Sequence, residues 1–224
     1  MSRPLATPPA VIACADITGL VLAGGQGARM EGRDKGLQPF HGVPLASHAL
    51  DRLRPQVAEG QLMVSANRHL DRYAAFGAPV IEDAMPGHPG PLAGMLAGLD
   101  RCATPWLLTV PCDVPRFPAD LARRLAEAAA GARAPGAIAA APETPDGGTP
   151  ATAPLRHHPV ACLLHASLRD DLRAYLAGGG RKVMDWMDRH GMAVAVFGQP
   201  GDDPHAFRNA NTLAELHRLE TDTP

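Results

Sequence analysis

The chain has 224 residues, a net charge of −2 at pH 7, and 46% hydrophobic against 20% charged residues. That length suits one α/β domain, with or without a small subdomain, and the apolar fraction is enough for a sizeable core. A charge so near zero calls for neither nucleic acid nor an anionic membrane as partner, so phosphate-binding charge has to be local and the partner small.

Residues 1–15 carry prolines at 4, 8 and 9 and lack a charged head followed by a long apolar stretch. They read as a disordered arm without an address, and no membrane-crossing run follows. Cys14, Cys102, Cys112 and Cys162 have neither the close spacing of a zinc site nor the density of a disulfide framework. They read as reduced thiols in a cytoplasmic protein.

The first apolar run, 17–22, predicts a buried strand. It ends in Leu22-Ala23-Gly24-Gly25-Gln26-Gly27-Ala28-Arg29-Met30-Glu31-Gly32-Arg33-Asp34-Lys35-Gly36, at the place where open α/β sheets bind ligands. The glycines let backbone N–H groups approach a phosphate chain, and Arg29 and Lys35 bring positive charge to it. Two commoner cradles do not fit. Gly27 and Gly32 have the Walker spacing, but Arg33-Asp34 stands where Lys-Ser/Thr is required, and a dinucleotide fingerprint needs Gly or Ala at Met30. The stretch reads as a nucleoside-triphosphate cradle in preference to an ordinary strand-to-helix turn. Lys35 and Lys182 are the only lysines among the 21 basic residues, and both fall in candidate site segments.

Further along, strands are predicted at 61–65, 79–81, 106–110, 136–140, 160–164 and 193–197. Helices are predicted at 44–53, 70–76, 91–101, 119–130, 167–176, 181–190 and 213–219. Their alternation implies an α/β fold with a mostly parallel sheet covered on both faces. Residues 141–155, with four prolines and two glycines, read as an exposed loop leading into the second half. Asp83 falls at the end of a short strand, before a turn-rich loop that it equally well begins. In the helix after that loop, Gly94 and Gly98 read as close packing against the sheet; Gly90, in the loop itself, reads as ligand proximity.

Asp113 follows the buried strand 106–110, so its carboxylate emerges at the carboxyl edge of the sheet. It is the candidate Mg²⁺ ligand, since Mg²⁺ takes one or two protein carboxylates and completes its shell with water and phosphates. The alternative, a cap for the helix near Pro118, needs a longer reach than caps have. None of the ten histidines lies in the glycine loop or beside Asp113. That favours an acceptor already ionised, attacking the α-phosphorus with loss of pyrophosphate, over a hydroxyl or water that requires a base. Arg156, Arg181, Lys182, Asn209 and Asn211 collect cations and amides in the second half and are candidate acceptor contacts. Each has a plain alternative: Arg181 and Lys182 as a solvated helix face, His157-His158 as an exposed pair, Asn211-Thr212 as a helix cap.

Leu22-Ala23-Gly24-Gly25, Arg29-Met30 and Asp34-Lys35-Gly36-Leu37 resemble the signature loop of the molybdenum cofactor guanylyltransferases, the MobA family of nucleotidyltransferases. Glu82-Asp83 with Pro89-Gly90-Pro91-Leu92-Ala93-Gly94, then Pro111-Cys112-Asp113, then Asn209-Ala210-Asn211-Thr212 are similar to that family's later motifs in the same order. The resemblance spans residues 17 to about 219. It implies a three-layer Rossmann-like nucleotidyltransferase fold: a single domain over 16–224, with a nucleotide half at about 16–135 and an acceptor half at about 136–220. It implies GTP and Mg²⁺ with molybdenum-bound molybdopterin as acceptor, and transient contact with molybdenum-insertion or recipient enzymes. Leu22, Ala23, Gly24, Gly25, Lys35, Ser65, Asp83 and Asp113 would then bind nucleotide, with Arg29, Lys35 and Asp113 catalytic. Ser65 departs from the pattern, standing where the family usually has Asn. Ala23-Gly24-Gly25 in place of Ala-Ala-Gly favours guanine over the cytosine of the related cytidylyltransferases. A sugar-phosphate nucleotidyltransferase or a silent GTP-binding module remain the alternative readings.

Overall fold

A computed structural model describes residues 11–23, 34–83, 90–143 and 153–221. In chain order the elements are β1 (Ile17–Leu22), β2 (Pro39–Phe40), β3 (Val43–Pro44), α1 (Leu45–Leu53), β4 (Leu62–Ser65), α2 (Leu70–Ala74), β5 (Val80–Ile81), α3 (Pro91–Arg101), β6 (Trp106–Pro111), α4 (Leu121–Ala132), β7 (Gly136–Pro142), β8 (Leu155–His165), α5 (Arg169–Ala177), α6 (Val183–Asp188), β9 (Ala193–Val196) and α7 (Leu213–Thr221). Seven of the strands form one sheet in the order β5-β4-β1-β6-β8-β7-β9. All its pairings are parallel except those of β8, which runs against both β6 and β7.

The central strands alternate between two buried layers. Val21, Trp106, Leu108, Val110 and Leu163 pack with α1 and α4 on one face; Leu20, Leu107, Cys162 and Leu164 pack with α3, α5 and α6 on the other. Helices on both faces of a mostly parallel sheet give the three-layer Rossmann-like α/β fold. The close packing expected at Gly94 and Gly98 is present: a methyl on Gly98 would sit 2.5 Å from Leu20 Cδ2, and one on Gly94 would sit 2.6 Å from Leu22 Cδ2 and 2.8 Å from Ser65 Oγ. Gly90 has φ 82°, a backbone conformation that favours glycine, and Pro91 opens α3 behind it.

After β1 the chain builds outward through β4 to β5, then returns to the other side of β1 as β6, so the switch point lies between β1 and β6. Leu22 pairs with both Ser65 and Pro111, which brings the carboxyl ends of β1, β4 and β6 level. Along β8 the register slips. Ile138 pairs with Cys162 but Ala139 with His158, leaving residues 159–161 bulged out, and the β6 pairing stops at Thr109–Cys162. Thr109 Oγ1 donates to the Val160 carbonyl at 2.7 Å, satisfying one group the bulge frees.

Several boundaries move. Ala141, Pro142 and Leu155 belong to strands, where a loop is the expectation, because β7 and β8 pair out to Pro142–Leu155; residues 144–152 lie outside the described residues. The helix expected over 181–190 covers only Val183–Asp188. The segment expected as an arm ends sooner, since Ile12 is buried in the core and residues 14–16 form a 3₁₀ turn; residues 1–10 lie outside the described residues. No helix among the described residues is long and apolar enough to cross a membrane.

Candidate active site

The carboxyl edge of β1, β4 and β6 gathers most of the sequence-predicted residues that the structure describes. Gly24, Gly25 and Arg29 lie outside the described residues. Leu22 ends β1, and Ala23 donates its backbone N–H to the Ser65 carbonyl at 2.8 Å. Asp113, two residues beyond β6, is nearly buried.

Lys35 sits on a 3₁₀ turn just before the β2–β3 hairpin, and its ammonium reaches across to that edge. Nζ donates to Asp113 Oδ2 at 2.7 Å and to Asn211 Oδ1 at 2.8 Å, with the Lys35 side chain 22% exposed. The turn itself is clamped from behind. Asp34 is buried and accepts a 2.5 Å hydrogen bond from the Tyr73 hydroxyl on α2. The Asp34 carbonyl accepts from Gln38 Nε2 at 2.9 Å. Gly36 lies so close to the Tyr73 ring that any Cβ there would collide with its hydroxyl. Burial, reinforced by nearby Cys112 and Asp34, holds the Tyr73 phenol well above its usual range, so it stays protonated and donates.

A second group stands at the end of β4. Ser65 Oγ donates to Asp83 Oδ1 at 3.3 Å, and Asn67 Nδ2 donates to Asp83 Oδ2 at 2.9 Å. The Asp83 backbone N–H donates to Asn67 Oδ1 at 2.9 Å. The paired donor and acceptor that Ser65 lacks are therefore supplied by Asn67, two residues further on. Sequence reasoning passed over Asn67, which stands two residues beyond Ser65.

Arg156, Asn209 and Asn211 meet in a cleft of about 710 Å³ bounded by the end of β7, the start of β8, the segment before α7, and α7 itself. Arg156 is exposed and pairs with Glu143 at 3.1 Å. His158, on the same strand, stacks on Phe207 with ring centroids 4.5 Å apart and planes 15° apart. Burial first, then the charges of Arg156 and His157, push the His158 imidazole down to about 4, so it is neutral at pH 7. The exposed pair expected at His157-His158 holds for His157 alone, since His158 is half-buried against Phe207, a ring not singled out from sequence. Asn211 is also part of a cap: its backbone N–H and that of Thr212 donate to Glu215 Oε2 at 2.7 and 3.1 Å, and Glu215 N–H donates to Thr212 Oγ1 at 3.1 Å. This is the capping box of α7. The helix-cap alternative and the site reading of Asn211 are thus compatible, because the cap uses its main chain and Lys35 uses its side chain.

Arg181 and Lys182 are not among the residues lining this cleft. Arg181 donates to the carbonyls of Leu176 and Gly180 at 2.8 and 2.6 Å, capping the end of α5. Lys182 Nζ lies 3.8 Å from Asp185, and the Lys182 carbonyl accepts from Tyr175 at 3.1 Å.

A fixed ammonium beside a single carboxylate, with an Asp–Asn pair and an amide-lined cleft to either side, can hold a polyphosphate, a hard cation and two polar ligands at once. Comparison with known proteins identifies the family. The MobA-like NTP transferase domain matches residues 19–208. The chain is 58% identical over 205 residues to a protein of Acidovorax ebreus named molybdenum cofactor guanylyltransferase, covering 92% of this chain and 95% of that one. A protein of the same name from Bordetella pertussis is 52% identical over 208 residues, covering 92% and 98%. Among solved structures, molybdopterin-guanine dinucleotide biosynthesis protein A from Archaeoglobus fulgidus superposes with a TM-score of 0.71 at 20% identity, covering 91% of this chain and 97% of that one. A CMP-2-keto-3-deoxy-manno-octonic acid synthetase complexed with CTP gives 0.68 at 15% identity, covering 92% and 97%, a likeness of fold alone. With a family model matching most of the chain and relatives more than half identical over nearly all of it, the chain belongs to the MobA-like NTP transferase family and is a nucleotidyltransferase.

Proposed function

We propose that the protein transfers GMP from GTP to the terminal phosphate of molybdenum-bound molybdopterin, forming the guanine dinucleotide cofactor and releasing pyrophosphate. The observation that carries this reading is the Lys35–Asp113 contact at the β1/β6 switch point, 2.7 Å long and largely withdrawn from water. The names of the relatives from Acidovorax ebreus and Bordetella pertussis support the choice of guanine and of the pterin.

In this reading the acceptor phosphate enters already anionic and attacks the α-phosphorus in line. An O–P bond forms, the bond to the bridging oxygen breaks, and pyrophosphate carries off the electron pair, so no residue has to remove a proton. The chain's task is to hold two mutually repelling anions in register. Lys35 offers the proton not used by Asp113 and Asn211 to the triphosphate. Ser65, Asn67 and Asp83 face the nucleoside at the end of β4, and Arg156, Asn209 and Asn211 receive the acceptor in the cleft. Asp113 would hold Mg²⁺: Lys35 engages one of its oxygens and leaves the other, and one carboxylate is a donor set suited to an ion that keeps its waters and takes phosphate oxygens. Mg²⁺ there would neutralise charge on the triphosphate and the departing pyrophosphate.

The test follows pyrophosphate release and label transfer from α-labelled GTP, CTP and ATP, with the pterin acceptor and with Mg²⁺ or a chelator. Transfer from GTP well above CTP and ATP, abolished by the chelator, is expected. Equal or greater transfer from CTP would replace this reading with a cytidylyltransferase, and tight GTP binding without pyrophosphate would replace it with a binding module.

A further inference from the structure

Asn211 belongs by position to the acceptor cleft, yet its carboxamide oxygen is committed to the ammonium of Lys35, 176 residues away in sequence, at 2.8 Å. Lys35 has three N–H protons, and Asp113 and Asn211 take two of them. We infer that Asn211 is a positioning residue for Lys35, aiming the remaining proton at the nucleotide, and that one side chain thereby joins the nucleotide site to the acceptor cleft. This rests on the reading of Lys35 as a triphosphate ligand.

Three features make Asn211 suited to the task. Its main chain is fixed by the Glu215 cap at 2.7 Å. The preceding residue, Ala210, is fully buried and donates its N–H to the Asp113 carbonyl at 2.9 Å, so the segment is sewn to the β6 loop as well as to α7. α7 in turn packs Leu216 and Leu219 against Phe40, in the hairpin next to Lys35, and Leu45, just after it. The lysine and the asparagine therefore ride on one packed unit, although they come from opposite ends of the chain. A lysine stem with free rotamers loses that freedom on binding; one already held at its head by two partners loses less.

An acceptor-only role and a positioning role for Asn211 predict different results when no acceptor is present. GTP with Mg²⁺ is titrated, without any pterin, into the parent protein, Asn211→Ala, Lys35→Ala and the double variant, with thermal melting run in parallel. The positioning role predicts a Kd for GTP about tenfold weaker in Asn211→Ala, the size expected for losing a hydrogen bond to a charged group. It also predicts that the double variant binds no worse than Lys35→Ala alone, because the asparagine acts through the lysine. An unchanged Kd in Asn211→Ala overturns the inference and leaves Asn211 to the acceptor. A weaker Kd that adds in full to that of Lys35→Ala also overturns it, by showing a general disturbance of the segment. If Lys35→Ala itself binds GTP as the parent does, the nucleotide reading of this site falls, and the inference with it.

Discussion

At the level of single residues, the proposed chemistry converges on Lys35, which the sequence pointed to by its glycine-rich stretch, with support from a chain that otherwise uses arginine for positive charge almost throughout. Replacing it with alanine is expected to weaken GTP binding by about 1.5 to 3 kcal/mol, the range for charge-assisted hydrogen bonds, measured by titration calorimetry. Asp113→Asn keeps shape and removes charge; kcat is expected to fall by about two to three orders of magnitude with the melting temperature little changed. A normal rate in that variant would place the catalytic carboxylate elsewhere. Lys35 and Asp113 were legible because local sequence carries them: a lysine in a glycine-rich stretch, an aspartate just past an apolar strand. Asn67, Tyr73 and His158 were not, because each acquires its meaning from a distant partner. Tyr73 reads as an ordinary core aromatic until its hydroxyl is found on Asp34, 39 residues earlier. His158 reads as half of an exposed pair until its ring is found stacked on Phe207.

Elements were legible where their apolar runs face both layers. β1, β6 and α3 fall within a residue of expectation, since strands buried on both faces and a helix opened by Gly90-Pro91 leave little room for alternatives. β8 was legible only in its inner half. Its outer half, from Leu155 through Arg156 and two histidines, has no apolar alternation and becomes a strand only because β7 lies alongside. The β2–β3 hairpin was missed although its turn residues, His41 and Gly42, both take positive φ, at 47° and 78°. Strands of two residues carry no period to detect. The small-residue face of α3 makes a graded prediction. Gly94→Ala adds a methyl against Leu22 and Ser65 and is expected to cost about 1 to 3 kcal/mol in urea unfolding. Gly131→Ala, on the open side of α4 with nothing within 4 Å, is expected to stabilise by up to about 1 kcal/mol. Equal effects at the two positions would mean that helix propensity, and not contact with the strand ends, governs α3.

For the molecule as a whole, acid is expected to act in two windows. His158 has its imidazole pushed down from its usual 6.5 to about 4, so the folded state binds this proton less readily than the unfolded chain does. Its contribution to stability is intact above pH 6.5 and is lost as pH falls towards 4. Asp171 and Asp202 follow at lower pH. Burial works against ionisation in both, but is outweighed by hydrogen bonds from Trp186 and His190 in the first and from Arg124 in the second, which leave both carboxyls below their usual value. Urea midpoints measured from pH 7 to pH 4 are expected to drop more steeply for the parent than for His158→Gln, with parallel curves refuting the first window. The bulge at residues 159–161 has a dynamic counterpart. Inward of it β8 is bonded to neighbours on both sides, and outward of it to β7 alone. Amide hydrogen exchange should therefore divide a single strand into two regimes, slow at Cys162 to Leu164 and faster at Arg156 to His158. The cleft would then have one wall that opens on its own timescale while the edge proposed for the nucleotide, bonded to the sheet interior, stays closed, so that the acceptor can enter without disturbing the strands proposed to hold the nucleotide.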